Sequence, residues 1–215
     1  MINILSDYYP HSIPEVLTTA GGLGDKVDSN GKLLPFAGNT VVFLLDNATK
    51  AALQKVQSEL HRQCGDMLAE PLVPSTFHMT LHDLANGPVL SQREEMAKQA
   101  MTALDEIRAA QLPPIPMKAT WTFNMVSTSI VLGLEPDGDA AWEQLDRLYQ
   151  RFQQVRPLSY ALTPHITMAY FRLGVYGDTA RLRQAVGPVE LSVELDMQKL
   201  VLQDFDHMNA YRTVY

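Results

Sequence analysis

Two short segments carry residue types suited to proton transfer at matched spacing: Phe77-His78-Met79-Thr80-Leu81 and Pro164-His165-Ile166-Thr167-Met168. An imidazole titrates near neutral pH, so of two such rings facing one substrate, one can act as neutral base and the other as protonated acid. The threonine two residues on adds a hydroxyl that can donate a hydrogen bond. In extended backbone, alternate side chains point to opposite faces. His78 and Thr80 therefore share one face and Met79 and Leu81 the other, and the second segment repeats this with His165 and Thr167 set against Ile166 and Met168. A histidine-threonine pair on one strand is by itself better read as a satisfied structural histidine, and the tripeptide is short enough to arise by chance. Its weight comes from the matched strand context and from the elements around each copy.

Those elements repeat in order. Thr40 to Leu45 is an apolar run with strand character, and Asp46 or Asn47 can cap a helix over 48–68 whose stripe is Ala52, Val56, Leu60 and Met67. The first histidine strand is expected over 77–83. Ser91, with Glu94 three residues on, reads as the start of a helix over 92–110 that Pro113, Pro114 and Pro116 stop. Strands over 117–125 and 129–135, a helix over 140–154, the second histidine strand over 164–171, a short helix over 179–185, and strands over 189–195 and 199–204 complete the series. Val41 precedes His78 by 37 residues and Val131 precedes His165 by 34, so the chain is a duplicate in pattern. The spacing predicts two lobes, about 38–125 and 126–204, each laying one histidine strand beside a shared cleft. Residues 1–37, with Gly21-Gly22-Leu23-Gly24 and Asp28-Ser29-Asn30-Gly31, show no sustained period and read as an irregular N-terminal arm. The tail over 205–215 is too aromatic for a loose terminus.

Composition narrows the function. The 215 residues are 46% hydrophobic, enough for one sizeable domain, and the longest apolar stretches are too short to span a bilayer. With no basic segment followed by an apolar one at the N-terminus, a soluble, unexported, cytoplasmic protein with no membrane partner is expected. The single Cys64 excludes an internal disulfide and a multi-cysteine zinc site, and reads as a packing or surface residue. A net charge of −7 argues against a grip on long nucleic acid and favours a small substrate. A local patch of Arg172, Arg181 and Arg183 could still attract a phosphate. No paired-histidine helix, carboxylate cluster or phosphate-cradling Gly-rich loop is present, so no metal or other cofactor is expected.

The two His-x-Thr motifs, the entry Phe36-Ala37-Gly38-Asn39-Thr40-Val41-Val42 and the strand end Ala169-Tyr170-Phe171 together resemble the 2H phosphoesterase superfamily, over residues 26–215. The entry is similar to that of a poorly characterised branch. The resemblance implies an α+β fold of two pseudo-symmetric lobes, with two mainly antiparallel sheets flanking a central cleft and helices outside, built as a single domain over 38–215. It implies a metal-independent phosphodiesterase, a hydrolase of nucleotide or RNA-processing type. His78 and His165 would be general acid and base in interchangeable roles, and Thr80 and Thr167 would hold the phosphate. Cyclic phosphates, 2′-5′ linkages and other small nucleotide or short RNA-like diesters are the substrates it suggests, cleaved by hydrolysis or transesterification by a monomer. The alternatives are a non-catalytic nucleotide- or phosphate-binding module on the same fold and an unrelated α+β domain with accidental motifs. The strand end lacks the basic residue that some branches place there, which argues against RNA ligation.

Among the remaining candidates, Tyr211 could stack on a base or simply dock on the sheet. Tyr170 has the parity of the core but lies close enough to the strand end to reach the cleft. His82 shares the parity of His78 and is expected at the surface or behind the site, His61 and His207 in solvent, and His11 has no assigned role. Met79, Met125, Met168, Trp121 and Trp142 read as packing residues.

Overall fold

The computed structural model describes residues 13–215; His11 and the first twelve residues of the expected arm lie outside the described residues. From residue 38 the expected series is present: β2 (Gly38–Leu44), α1 (Asn47–Cys64), β3 (His78–Asn86), α2 (Arg93–Ala109), β4 (Ile115–Met125), β5 (Ser129–Pro136), α3 (Asp139–Gln153), β6 (His165–Tyr170), α4 (Ala180–Ala185), β8 (Ser192–Leu195) and β9 (Leu200–His207). Three further strands were not expected. β1 (Val16–Thr18) pairs antiparallel with β7 (Tyr176–Asp178), and β10 (Ala210–Thr213) pairs with β9. Residues 13–37 are irregular apart from β1 and a turn of 3-10 helix, yet Ile13, Leu17, Leu23 and Val27 are buried in the main core.

Two helix details depart from expectation. Asp46 caps α1, accepting from the Thr49 amide at 2.7 Å. The buried face of α1 is Thr49, Leu53, Gln57, Leu60 and Cys64, rather than the stripe through Ala52 and Val56. Gln57 is drawn inward because its amide donates to the carbonyls of Leu72 at 3.1 Å and Met168 at 3.0 Å. Ser91 does not cap α2: Gly87–Gln92 form a 3-10 turn, and the helix starts without a side-chain cap.

All eight strands of the main sheet are antiparallel, in the order β10-β9-β2-β3-β6-β5-β4-β8. The expected two sheets are thus two four-stranded halves of one curled sheet, joined where Met79 of β3 faces Ile166 of β6. The expected lobe boundary is corrected by this order. β4, placed in the first half by the pattern, belongs to the second, and β9 and β10 belong to the first. The reason is local: the tight turn at Val126 and Ser127, both with positive φ, makes β4 and β5 a hairpin, while β9 returns to hydrogen-bond to β2.

The Gly-Asn-Thr entry of β2 staples the first half together. A Cβ on Gly38 would lie 2.5 Å from the Ala85 carbonyl oxygen and 2.4 Å from the Phe205 ring, so only glycine permits the close approach. The buried Asn39 side chain accepts from the Ala85 amide at 2.8 Å and donates to the Arg93 carbonyl at 3.2 Å. Thr40 Oγ1 donates to the His82 carbonyl at 3.0 Å.

Both histidine strands are bulged at the same place. Val41 faces His82 and Val42 faces Thr80, so Leu81 is the extra residue; Ile130 faces Ala169 and Val131 faces Thr167, so Met168 is its counterpart. A bulge reverses the alternation beyond it. His82 therefore leaves the face of His78 and Thr80 and enters the core, only 1% exposed, against Tyr149 and Phe152. Of its two expected places, at the surface or behind the site, burial excludes the surface. The next residue takes the vacated face in each strand: Asp83 in β3 and Tyr170 in β6 both line the cleft.

Burial lowers the His82 pKa to about 4, against the pull of the Asp83 carbonyl and carboxylate. The unfolded chain binds this proton near pH 6.5, so the contribution is complete above that pH and is lost as pH falls toward 4. From pH 7 to 4.5 this one residue should cost the fold about 2–3 kcal/mol. Urea melts at both pH values check this: His82→Phe should show a correspondingly smaller acid loss, and an equal loss in both proteins would refute the assignment.

Candidate active site

The cleft lies over the junction of the half-sheets and has a volume of about 260 Å³. His78, Thr80, His165 and Thr167 all line it, so both motifs meet at one site. Met79, Leu81, Ile166 and Met168 are fully buried on the other face and hold the strands to the core. With Met79 opposite Ile166 in an antiparallel pair, the register sets His78 beside Thr167 and Thr80 beside His165. Each imidazole therefore has the other motif's threonine as its cross-strand neighbour.

The two histidines are held by equivalent but unequal contacts. His165 Nδ1 lies 2.6 Å from the Thr163 carbonyl oxygen, to which it donates. That bond fixes the tautomer and leaves Nε2 with a free lone pair in the neutral ring. The Thr76 backbone occupies the same place relative to His78 and favours its protonated form, but Nδ1 of His78 is buried without a hydrogen-bond partner among the described residues. Burial lowers the His78 pKa to about 4, and the His165 charge pushes it the same way. His165 is also lowered, first by burial and then by Lys26, against Thr163 and Asp83. Burial thus favours the neutral form of both rings.

The strand alternation missed Asp83 because it read β3 as unbroken. Its carboxylate accepts from the Tyr160 hydroxyl at 3.1 Å and raises the proton affinity of both cleft histidines. Lys26 was missed for a different reason, lying in a segment without periodicity. Its ammonium lies 5.0 Å from the Phe36 ring centroid and 5.7 Å from that of Tyr170.

Tyr211, on β10, is both docked and in the site. It pairs with Phe205 of β9, and its ring meets His78 edge-on with centroids 4.8 Å apart. Phe205 lies 5.4 Å from Tyr211 and is stacked on Phe36 at 6.0 Å, so one wall of the cleft is aromatic.

Other expectations fall away from the cleft. Arg172, Arg181 and Arg183 do not line it; Arg181 pairs with Asp66 at 2.7 Å and Arg183 donates to the Pro14 carbonyl. His61 is not in solvent: its Nε2 is buried and burial lowers its pKa. His207 is half-buried and accepts from the Asn209 amide at 3.2 Å. Cys64, Met79 and Met168 are buried, and Met125 and Trp121 pack on Phe123 and Val131. Among the described residues, no group of three or more His, Cys, Asp or Glu side chains is placed to hold a metal ion, and no helix is long and apolar enough to cross a membrane.

Residues 26–113 match the model of the 2H-phosphodiest family, described as a domain of unknown function, DUF1868. The sequence has no match among curated proteins. Among solved structures, a conserved protein of unknown function from Agrobacterium tumefaciens, ATU0111, aligns over 92% of this chain and 92% of its own at 17% identity with a TM-score of 0.68. TT0787 of Thermus thermophilus aligns over 82% of this chain and 94% of its own at 15% identity and TM-score 0.60. E. coli LigT complexed with 3′-AMP aligns over 84% and 96% at 13% identity and TM-score 0.55. The chain is thus similar to the 2H-phosphodiest family model over residues 26–113 and shares the fold of these solved structures over most of its length.

Proposed function

We propose that the protein is a metal-independent phosphodiesterase acting on small nucleotide or short RNA-like diesters, with His78 and His165 as base and acid and with Thr80 and Thr167 holding the phosphate. The observation that carries this reading is the β3–β6 junction, which brings both histidine-threonine pairs to one cleft in a crossed arrangement. A phosphate seated there has an imidazole on either side and a hydroxyl beside each.

In hydrolysis, the neutral imidazole takes a proton from water as its oxygen forms a bond to phosphorus. The bond from phosphorus to the leaving oxygen breaks, and the imidazolium supplies that oxygen with a proton. Transesterification uses the same two transfers with a ribose hydroxyl as nucleophile. The threonine hydroxyls donate to the non-bridging oxygens as charge grows on them. His165, with its tautomer fixed and its cation supported by Thr163, suits the acid; His78, more resistant to protonation, suits the base. Acid, base and phosphate donors are all protein side chains, which supports a reaction without metal. The 3′-AMP held by E. coli LigT supports a small nucleotide as ligand class, and the aromatic wall beside His78 suits a stacked base.

The test is a panel of 2′,3′-cyclic nucleotides, cyclic oligonucleotides and 2′-5′-linked oligonucleotides, assayed with and without EDTA. Turnover of at least one class, unchanged by chelation, is expected. Loss of turnover with EDTA would reject the metal-free mechanism, and saturable nucleotide binding without product would make the protein a binding module.

A further inference from the structure

Several features invite a role beyond the histidine-threonine site. The small apolar recess behind Asp83 and Tyr160 opens beside His165, but nothing in it selects a ligand. The Arg93–Asp204–Arg212 cluster is satisfied by its own ion pairs. The buried Arg172 Nε has no hydrogen-bond partner among the described residues, but its side chain packs against Gly31 and it does not line the cleft. The remaining feature lies in the cleft itself and is not used by the reaction.

We infer that Lys26, with the hydroxyls of Tyr170 and Tyr211, forms a second anion subsite, so that the preferred substrate is a nucleotide diester carrying an additional phosphate. This inference rests on the cleft being a phosphodiesterase site. The first observation is an ammonium placed on the cleft wall with no carboxylate partner among the described residues. It is held there by the backbone: the Lys26 amide donates to the Leu23 carbonyl at 2.9 Å, its carbonyl accepts from Leu34 at 2.8 Å, and the neighbouring Leu23 and Val27 are fully buried. Ring faces at 5.0 and 5.7 Å hold a cation, but they offer it no hydrogen-bond acceptor.

The second observation is independent. The Tyr170 hydroxyl donates to Met208 Sδ at 3.1 Å, and the Tyr211 hydroxyl approaches the same sulfur at 3.6 Å. A thioether is a weak acceptor, so two phenolic donors meet at a partner that a phosphate oxygen would readily replace. Tyr211 is kept neutral, since burial raises its pKa well above the ordinary value. Asp83, the carboxylate of the cleft, is at the equivalent position of the opposite strand and bonded to Tyr160, which leaves the Tyr170 side of the cleft as its cationic side. Lys26 also lowers the pKa of His165, although less than burial does, so its field reaches the reacting phosphate's surroundings without its being one of the four motif residues.

Calorimetry of the full chain with 3′-AMP and with adenosine 3′,5′- and 2′,5′-bisphosphate tests this. At least one bisphosphate should bind at least about tenfold more tightly than 3′-AMP, the scale of one charge-assisted contact. That ratio should fall to about two or less in Lys26→Met, and partly in Tyr170→Phe, which keeps the ring. Circular dichroism confirms that the variants fold. A ratio near one in the wild type, or a ratio that survives Lys26→Met, would overturn the inference. If the wild type turns over a singly charged cyclic nucleotide but shows no bisphosphate preference, the second subsite alone is wrong. If it neither binds nor cleaves any nucleotide, the phosphodiesterase reading fails with it.

Discussion

Replacing either His78 or His165 by alanine should lower kcat at least about 100-fold on any diester the wild type turns over, the loss usual for a general acid or base. In the proposed mechanism the two residues form one proton-transfer pair: with either ring gone, the remaining ring can accept a proton or deliver one, but not both in the same step. The double variant should therefore be little slower than either single variant, well short of the product of the two losses. Structural damage should be modest, because the strands are held by the opposite face, where Met79, Leu81, Ile166 and Met168 are fully buried and untouched by the change. Steady-state rates on the best substrate of the panel, with circular dichroism of each variant, provide the measurement. A single variant retaining more than about a tenth of the wild-type kcat would reject the paired mechanism.

The pH dependence should be as large. In the free protein, burial lowers the pKa of His78 to about 4 and that of His165 below its ordinary 6.5. In the proposed mechanism the reactive form carries one proton on the pair, so above pH 6.5 that form becomes scarcer by tenfold per pH unit, and kcat/KM, which reports the free enzyme, should follow it. Between pH 6.5 and 8.5 the expected fall is about 100-fold. A cyclic nucleotide with no further phosphate, the substrate for this profile, keeps its single negative charge throughout this range and contributes no titration of its own. Bound between the rings, that charge favours the imidazolium, so kcat should hold to higher pH than kcat/KM. Asp83 supports protonation of both rings, and Asp83→Asn should start the decline in kcat/KM at lower pH. A flat kcat/KM across this range would show that neither histidine transfers a proton in the limiting step.

Much of the fold was legible along the chain because its signals are local. Alternation placed β3 and β6, Asp46 capped α1, and the Pro136-Asp137-Gly138-Asp139 turn preceded α3, each from residues within one turn or strand of the element concerned. What eluded the pattern was set by partners distant in sequence. Three-residue β1 and β7 exist because they pair with each other, and the α1 stripe rotated because Gln57 found carbonyls on the loop before β3 and on β6. Sequence order also assigned β4 and β9 to the wrong lobes, since nothing local says which strand a returning chain will hydrogen-bond to.

The same division runs through the site. His78, Thr80, His165 and Thr167 were identifiable by themselves, because a period of two forces each pair onto one face before any tertiary contact forms. The structure decided what that face meets. The Met79–Ile166 register sets each histidine beside the threonine of the other motif, and the bulges at Leu81 and Met168 exchange His82 for Asp83 and bring Tyr170 round. A bulge is selected by pairing with β2 and β5, so no alternation count within β3 or β6 could reveal it. Lys26 and Tyr211 enter the cleft from the two distant ends of the described chain, through packing and strand addition. The sequence by itself determined that His78 shares a face with Thr80 and His165 with Thr167, because strand geometry is local. Their pairing, their shifted proton affinities and the remaining walls of the cleft were decided only by tertiary structure, because burial and cross-strand neighbours arise when distant segments meet.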